Sequence, residues 1–331
     1  MARVPRRVRK AVKGATALLT ATWLPILKAL PAPDPAGRIV EVADFGFNPG
    51  ALRMYVYAPP KRLPAGAPLI VVLHGCGQSA AAFARDSGFV ALARRVGAAL
   101  VLPEQSSKNN RGRCFNWFQP GDARRGGGEA ASIRQMVRAA IRRYKSDPRR
   151  VYIVGLSAGG AMAAAMLAAY PATFAAGAVV AGMPVGAAFN GASALLRMRH
   201  ADRFMNRRHL AESVHRAAPP TRSARAWPRI SIWQGGRDKL VDPHNAEALA
   251  AQWSAVHGFD GPPTAESSPK PGVRRRLWSK PKGAAVELWT IADMGHGFPI
   301  DPADSGLESF GITNAGLPAA RLIARFWGLD A

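Results

Sequence analysis

Ser157 stands in Gly155-Leu156-Ser157-Ala158-Gly159, directly after the apolar run Val151 to Val154 and directly before the Ala- and Met-rich segment Gly160 to Tyr170. A serine at that spacing is suited to nucleophilic attack. A buried strand that turns sharply into a helix lifts the hydroxyl above the sheet edge, and the flanking glycines allow so crowded a turn. The helix that follows directs its positive N-terminal end at a developing oxyanion. The bare Gly-x-Ser-x-Gly pattern also arises by chance in a Gly-rich chain as an ordinary strand-to-helix turn. Here the strand before it and the helix after it favour the nucleophile.

A serine nucleophile needs a base, and the base needs an orienting carboxylate. Among seven histidines, His296 has the best setting: it lies in Asp293-Met-Gly-His-Gly-Phe298, past the last strand, where glycines leave the ring free to reach a serine. His74 precedes the serine and reads as a structural loop residue. His200, His209, His215 and His257 sit in polar surroundings that suit solvated side chains. For the carboxylate, Asp238 follows the apolar run Arg229 to Trp233 through Gly235-Gly236-Arg237. Asp242 competes with it but stands where an aspartate often caps a helix; Asp293 and Glu287 are further alternatives. The oxyanion hole would use the N–H of Ala158, the residue after the nucleophile, and the N–H of Cys76 in the glycine-flanked loop His74 to Gln78.

These residues need a scaffold that brings strand ends together. Arg38 to Phe45 and Leu52 to Ala58 read as an opening hairpin. Pro68 to His74, Ala98 to Pro103, Val151 to Val154, Ala178 to Ala181, Arg229 to Trp233 and Ala285 to Ile291 are continuous apolar runs. Helical patterns lie between most of them, including Ser132 to Tyr144, Ala158 to Tyr170, Asn245 to Trp253 and Leu317 to Trp327. The alternation predicts an α/β fold with a mainly parallel sheet flanked by helices and ligands at the carboxyl ends of the strands. Arg203 to Trp227 has no strand period and reads either as a lid or as a surface helix with a loop.

Residues 1–36 differ in composition from the body, which spans 37–331 as one catalytic domain. Met1 to Lys13 is basic, Gly14 to Leu27 is apolar apart from threonines, and Pro31 to Pro35 reads as an extended linker. That order fits a secretory signal, but Lys28 and the lack of a clean cleavage site fit an amphipathic surface helix equally well. No apolar run of about 18 residues is present to span a bilayer. The net charge of +24 comes from 45 Lys and Arg against 21 Asp and Glu. The basic residues lie in separate stretches without zinc-finger spacing or a basic zipper, which argues against specific nucleic-acid binding and leaves weak adhesion to anionic surfaces.

Leu73-His-Gly-Cys-Gly-Gln78, Cys114-Phe-Asn-Trp-Phe118, Gly128-Glu-Ala-Ala-Ser-Ile133, Gly155 to Met162, Ala181-Gly-Met-Pro184 and Trp233-Gln-Gly-Gly-Arg-Asp238 occur in that order. In this the chain resembles the polyhydroxybutyrate (PHB) depolymerase family of esterases, over roughly Leu52 to His296. The resemblance implies an α/β-hydrolase fold with Ser157, Asp238 and His296 as a catalytic triad and Cys76 as an oxyanion donor. It also implies a disulfide between Cys76 and Cys114, which would favour an oxidising compartment and hence an extracellular or periplasmic protein over a cytoplasmic one. Trp117 is then placed to pack on an acyl or polyester segment, with Asn116 and Gln78 as further candidates for substrate contact. Gly77 where the family often has threonine, and the extra basic residues Lys270 to Lys282, are departures expected to bear on substrate choice.

The function these features imply is that of a serine carboxylic ester hydrolase working through an acyl-enzyme, acting on poly(3-hydroxybutyrate) or short hydroxyalkanoate oligomers. A feruloyl- or acetylxylan-type esterase is the alternative within the class. A basic surface-binding protein with a vestigial hydrolase site is the alternative outside it, and the intact Ser, Asp and His set argues against that. No metal or organic cofactor is expected: the sequence has no His-Glu-x-x-His, no cysteine cluster and no dinucleotide-binding glycine motif after a strand.

Overall fold

The computed structural model describes residues 39–59, 63–203, 206–219, 227–281 and 283–329. The basic N-terminal segment therefore lies outside the described residues. The chain opens with β1 (Ile39–Val42) and β2 (Arg53–Tyr57), which pair antiparallel as the sequence pattern suggests. Next come β3 (Leu69–Leu73), β4 (Ala99–Glu104), β5 (Val151–Leu156), β6 (Ala176–Val180), β7 (Arg229–Gly235) and β10 (Gly283–Ile291), interrupted late in the chain by β8 (Ala265–Lys270) and β9 (Val273–Lys280). All ten strands form one sheet in the order β1-β2-β4-β3-β5-β6-β7-β10-β9-β8. The pairs from β4 through β10 are parallel, and the outer pairs on both flanks are antiparallel.

The central strands are apolar throughout because helices cover both faces. Alternate side chains feed two cores. Leu69, Val71, Leu73, Val151 and Ile153 enter one, and Ile70, Val72, Tyr152, Val154 and Leu156 enter the other. The first core is closed by α4 (Gly128–Tyr144), α5 (Ala158–Ala169) and α8 (His244–Val256), through Met136, Val137, Met162, Leu167, Leu249 and Trp253. Every residue of α5 is buried, and a helix that is apolar on all sides is at home only in such an interior. The second core is closed by α1 (Ala80–Asp86), α2 (Phe89–Val96) and α9 (Ala319–Trp327), where Trp327 stacks on Tyr152 at 5.0 Å.

The edge hairpin β8–β9 has no counterpart in the sequence reading, because its side chains follow charge rather than apolar content. Arg274, Arg275 and Arg276 of β9 pair with Glu266 of β8, Glu287 of β10 and Glu247 of α8. Glu287 is fully buried. It accepts from Arg275 at 2.7 Å and from the Ser231 hydroxyl at 2.6 Å, and Ser231 in turn accepts from Trp233 Nε1 at 2.7 Å. Arg275 also lies over the Trp289 ring, which stacks on Trp233 at 4.5 Å. These arginines of the basic stretch Lys270 to Lys282, expected to bear on substrate choice, therefore hold the hairpin onto the sheet.

Three further helices lie among the described residues: α3 (Pro120–Ala123), α6 (Gly191–Arg199) and α7 (Arg207–Ala217). Within the stretch considered as a lid, α7 buries Leu210, Ala211 and Val214 against the body, and Gln252 of α8 donates to the Leu210 carbonyl at 2.9 Å. Residues 220–226 of that stretch lie outside the described residues. No described helix is long and apolar enough to cross a membrane.

Candidate active site

Ser157 occupies the corner between β5 and α5 with φ 56° and ψ −119°. This left-handed backbone is costly for a residue with a Cβ, of order 1–3 kcal/mol, and persists only where the surroundings enforce it. They do so here by close packing. A Cβ on Gly155 would lie 2.1 Å from the Gly159 carbonyl oxygen, and one on Gly159 would lie 2.4 Å from that of Leu73. The Ser157 N–H donates to Val180 of β6 at 2.8 Å, which fixes the corner to the neighbouring strand. Ala158, the first residue of α5, has no intrahelical acceptor for its N–H.

Asp238 lies just past β7 and His296 just past β10, the next strand in the sheet. His296 Nδ1 and Asp238 Oδ2 are 2.7 Å apart, the carboxylate wholly buried and the imidazole nearly so. The same Oδ2 accepts from Gln234 Nε2 at 2.9 Å, and Oδ1 accepts from the N–H groups of Leu240 and Val241 at 2.8 and 2.9 Å. Burial alone would raise the Asp238 carboxyl, but the His296 ring and the N–H groups of Val241 and Leu240 hold it below the ordinary carboxylate value. Two backbone bonds tie the acid loop to the histidine loop, from Gly236 to Ile291 at 2.8 Å and from Arg237 to Met294 at 2.9 Å. Beyond His296, β11 (Phe298–Ile300) and β12 (Ile312–Asn314) pair in parallel, and Phe298 sets its ring edge-on to Phe83 and Phe89.

The three alternative carboxylates have other partners. Asp242 accepts from the N–H of His244 at 3.0 Å and that of Ala201 at 3.1 Å, so it closes the start of α8 and anchors the segment after α6. Asp293 forms an exposed ion pair with Arg237. Glu287 is enclosed by Arg275 and Ser231 within the sheet. Of the histidines expected to be solvated, His215 is exposed with its ring edge-on to Trp227, whereas His257 is half-buried and its Nε2 meets the Pro228 carbonyl at 3.1 Å.

The loop His74 to Gln78 follows β3, with Cys76 bonded to Cys114. Gly77 N–H donates to Gly112 at 2.9 Å. Gln78 uses both ends of its amide on the backbone: Oε1 accepts from Gly75 N–H at 2.7 Å and Nε2 donates to the Phe310 carbonyl at 2.6 Å. Asn116 is equally occupied. Its N–H and Nδ2 both donate to Glu129 at 2.8 Å, and its Oδ1 accepts from Asn110 at 2.9 Å. Trp117 is buried in the first core with Phe118 edge-on to its ring. The Gln78 and Asn116 side chains thus hold the loops together through polar partners within the protein, and Trp117 contributes its ring to the first core.

Residues the sequence reading passed over complete this framework. Glu129, buried on α4, also accepts from Gln105 Nε2, and burial pushes its carboxyl up to about 8 against the pull of the Asn116 N–H. Gln105 donates further to the Cys114 carbonyl at 3.1 Å. Glu129 lies in Gly128-Glu-Ala-Ala-Ser-Ile133, where a lone carboxylate beside alanines is the available signal.

Residues 52–270 match the family model described as Esterase PHB depolymerase. Poly(3-hydroxyalkanoate) depolymerase C of Paucimonas lemoignei is 38% identical over 296 residues, covering 88% of this chain and 70% of that protein. Acetylxylan esterase A of Aspergillus oryzae is 30% identical over 292 residues, covering 84% and 90%. Among solved structures, the acetyl xylan esterase from Aspergillus awamori superposes with a TM-score of 0.75 at 24% identity, covering 89% of this chain and all of that one. The fold is that of the α/β-hydrolases, the chain is a carboxylic ester hydrolase, and it belongs to the Esterase PHB depolymerase family.

Proposed function

We propose that the chain cleaves esters through an acyl-enzyme, with Ser157 as nucleophile, His296 as general base and Asp238 as the group that orients the imidazole. The observation that carries this is the 2.7 Å contact between Asp238 Oδ2 and His296 Nδ1, on loops that follow β7 and β10 of the same sheet whose β5 leads into the Ser157 corner. Asp238 keeps the proton on Nδ1 and leaves Nε2 basic. As the Ser157 oxygen bonds to the ester carbonyl carbon, its proton passes to Nε2, and the N–H groups of Ala158 and Cys76 stabilise the oxyanion. His296 then gives the proton to the departing alcohol. It next takes a proton from water as the water oxygen bonds to the acyl carbon; the bond to the Ser157 oxygen then breaks, the acid leaves, and His296 returns the proton to Ser157.

Hydroxyalkanoate polyester or its oligomers are the substrate we favour, supported by the 38% identity to a poly(3-hydroxyalkanoate) depolymerase. Acetylated or feruloylated polysaccharide is the second reading, supported by the similarity to acetylxylan esterases in sequence and to one of them in fold. The Cys76–Cys114 disulfide supports an oxidising compartment outside the cytoplasm. Continuity of the ten-stranded sheet supports a single catalytic domain over 37–331.

The test is hydrolysis of p-nitrophenyl butyrate with and without a serine-directed phosphonate. One adduct on Ser157, and a folded Ser157→Ala variant slower by several orders of magnitude, are expected. Near-native turnover in that variant would refute the mechanism. Relative rates on hydroxybutyrate oligomers, methyl ferulate and acetylated xylan decide between the substrate classes.

A further inference from the structure

His74 is a buried titratable side chain that the proposed mechanism leaves without a role. It is 0% exposed, at the start of the loop that carries Cys76, with its ring against Phe115 at 5.0 Å. Both ring nitrogens have partners. The backbone N–H of Gln105 donates to Nε2 at 3.1 Å, so that nitrogen carries a lone pair and the ring proton sits on Nδ1. Nδ1 is 2.7 Å from the carbonyl oxygen of Gly75.

That carbonyl belongs to the same peptide group as the Cys76 N–H. A peptide group is planar, so a bond that holds its oxygen also sets where its N–H points. A donor on the oxygen polarises the group and strengthens its N–H as a donor. The preceding peptide is held independently, with Gly75 N–H bonded to Gln78 Oε1 at 2.7 Å. Gly75 therefore has both of its backbone polar atoms engaged by side chains, the carbonyl also accepting a longer bond from the Gln78 N–H at 3.3 Å, at a position where glycine would otherwise leave the chain free.

We infer that His74 is the positioning residue of the oxyanion hole: its Nδ1 proton, kept there by the Gln105 amide at Nε2, fixes the peptide plane that presents the Cys76 N–H. Gln78 fixes the adjoining plane. The network continues from Gln105 to Glu129 and to the Cys114 carbonyl, so the disulfide partner is braced by the same groups. The inference rests on the proposed role of Cys76 as an oxyanion donor.

The experiment compares His74→Asn, whose amide NH2 can take the place of Nδ1–H, with His74→Gln, whose amide reaches the Nε2 position instead. In His74→Gln, kcat should fall on the order of 100-fold with KM nearly unchanged, as for loss of an oxyanion donor. His74→Asn should stay within about tenfold of the native enzyme. Equal kcat in the two folded variants, or a loss confined to KM, overturns the inference. A separate measurement needs no variant: ¹⁵N NMR of the native protein should find His74 protonated at Nδ1 and bare at Nε2, and the opposite tautomer overturns it. Phosphonate labelling of native Ser157 is run alongside. Labelling with native-like kcat in His74→Gln defeats this inference alone, whereas failure to label native Ser157 defeats the underlying mechanism.

Discussion

Asp238 and His296 lie 58 positions apart in sequence and meet at 2.7 Å because β7 and β10 are neighbours in the sheet while the β8–β9 hairpin is displaced to the flank. The hairpin enters the chain between the two residues without entering the space between their strands. An insertion at a sheet edge leaves the separation of two loops on adjacent parallel strands unchanged.

Asp238→Asn should leave substrate binding largely intact and lower kcat by about 10⁴, the loss expected when the imidazole tautomer is no longer controlled. Asp242→Asn should change kcat little, since its bonds run to the Ala201 and His244 backbone. Steady-state kinetics of the two variants checks the ranking. A larger loss in Asp242→Asn would move the orienting role to that residue.

Reduction of the Cys76–Cys114 bond should slow turnover before the fold melts, because it frees one end of the loop that carries the Cys76 N–H. Complete loss of that donor corresponds to about 2.7 to 4 kcal/mol of transition-state stabilisation. Kinetics in reductant, with thiols counted on the intact protein, tests this. Unaltered kcat after verified reduction would show that the His74, Gln78 and Gly112 bonds suffice without the bridge.

Arg275→Ala should destabilise the protein by roughly 3 to 5 kcal/mol, since it leaves the Glu287 carboxylate buried without its charged partner. Chemical denaturation of Arg275→Ala, Glu287→Gln and the double variant provides the check. The double variant should recover much of the loss, and strict additivity would mean that the pair does not interact.

Burial pulls the His74 ring down to about 4, with the nearby Arg113 guanidinium acting in the same direction. The unfolded chain, with an ordinary histidine near 6.5, binds more protons than the folded one between these values. Stability is therefore full above about pH 6.5 and falls as pH drops through 4, by about 3 kcal/mol in all. Asp238, held below the ordinary carboxylate value, adds a loss in the same direction that begins at lower pH. Denaturation midpoints from pH 7 to pH 4 should decline in the native protein and decline less in His74→Asn; parallel slopes would exclude His74 as the source.

Strands buried on both faces could be read from the sequence, since runs such as Val151 to Val154 carry no polar alternation. So could the proposed triad residues, because glycine-rich turns after those runs mark loops at strand ends. The β9 strand could not, because Arg274, Arg275 and Arg276 earn their places through carboxylates distant in sequence, which no local period records. The partners of Gln78 and Asn116 could not be read for the same reason. A polar side chain in a loop reads as free for a ligand until its acceptor is known, and the Phe310 carbonyl that engages Gln78 is 232 residues away.

β8 closes the sheet with no further strand beside it among the described residues, and all six of its side chains face solvent. Such an open ladder invites a strand from another molecule. Pro269 removes one N–H from it, the register breaks between Ser267 and Lys270, and Glu266 and Lys270 place opposite charges along the same short stretch. An incoming strand would meet a missing donor, a shifted register and exposed charged side chains already engaged by Arg274 and by the Ala315 and Gly316 carbonyls. The hairpin that secures Glu287 at one edge of the enzyme is thus also a poor template for the strand of another molecule.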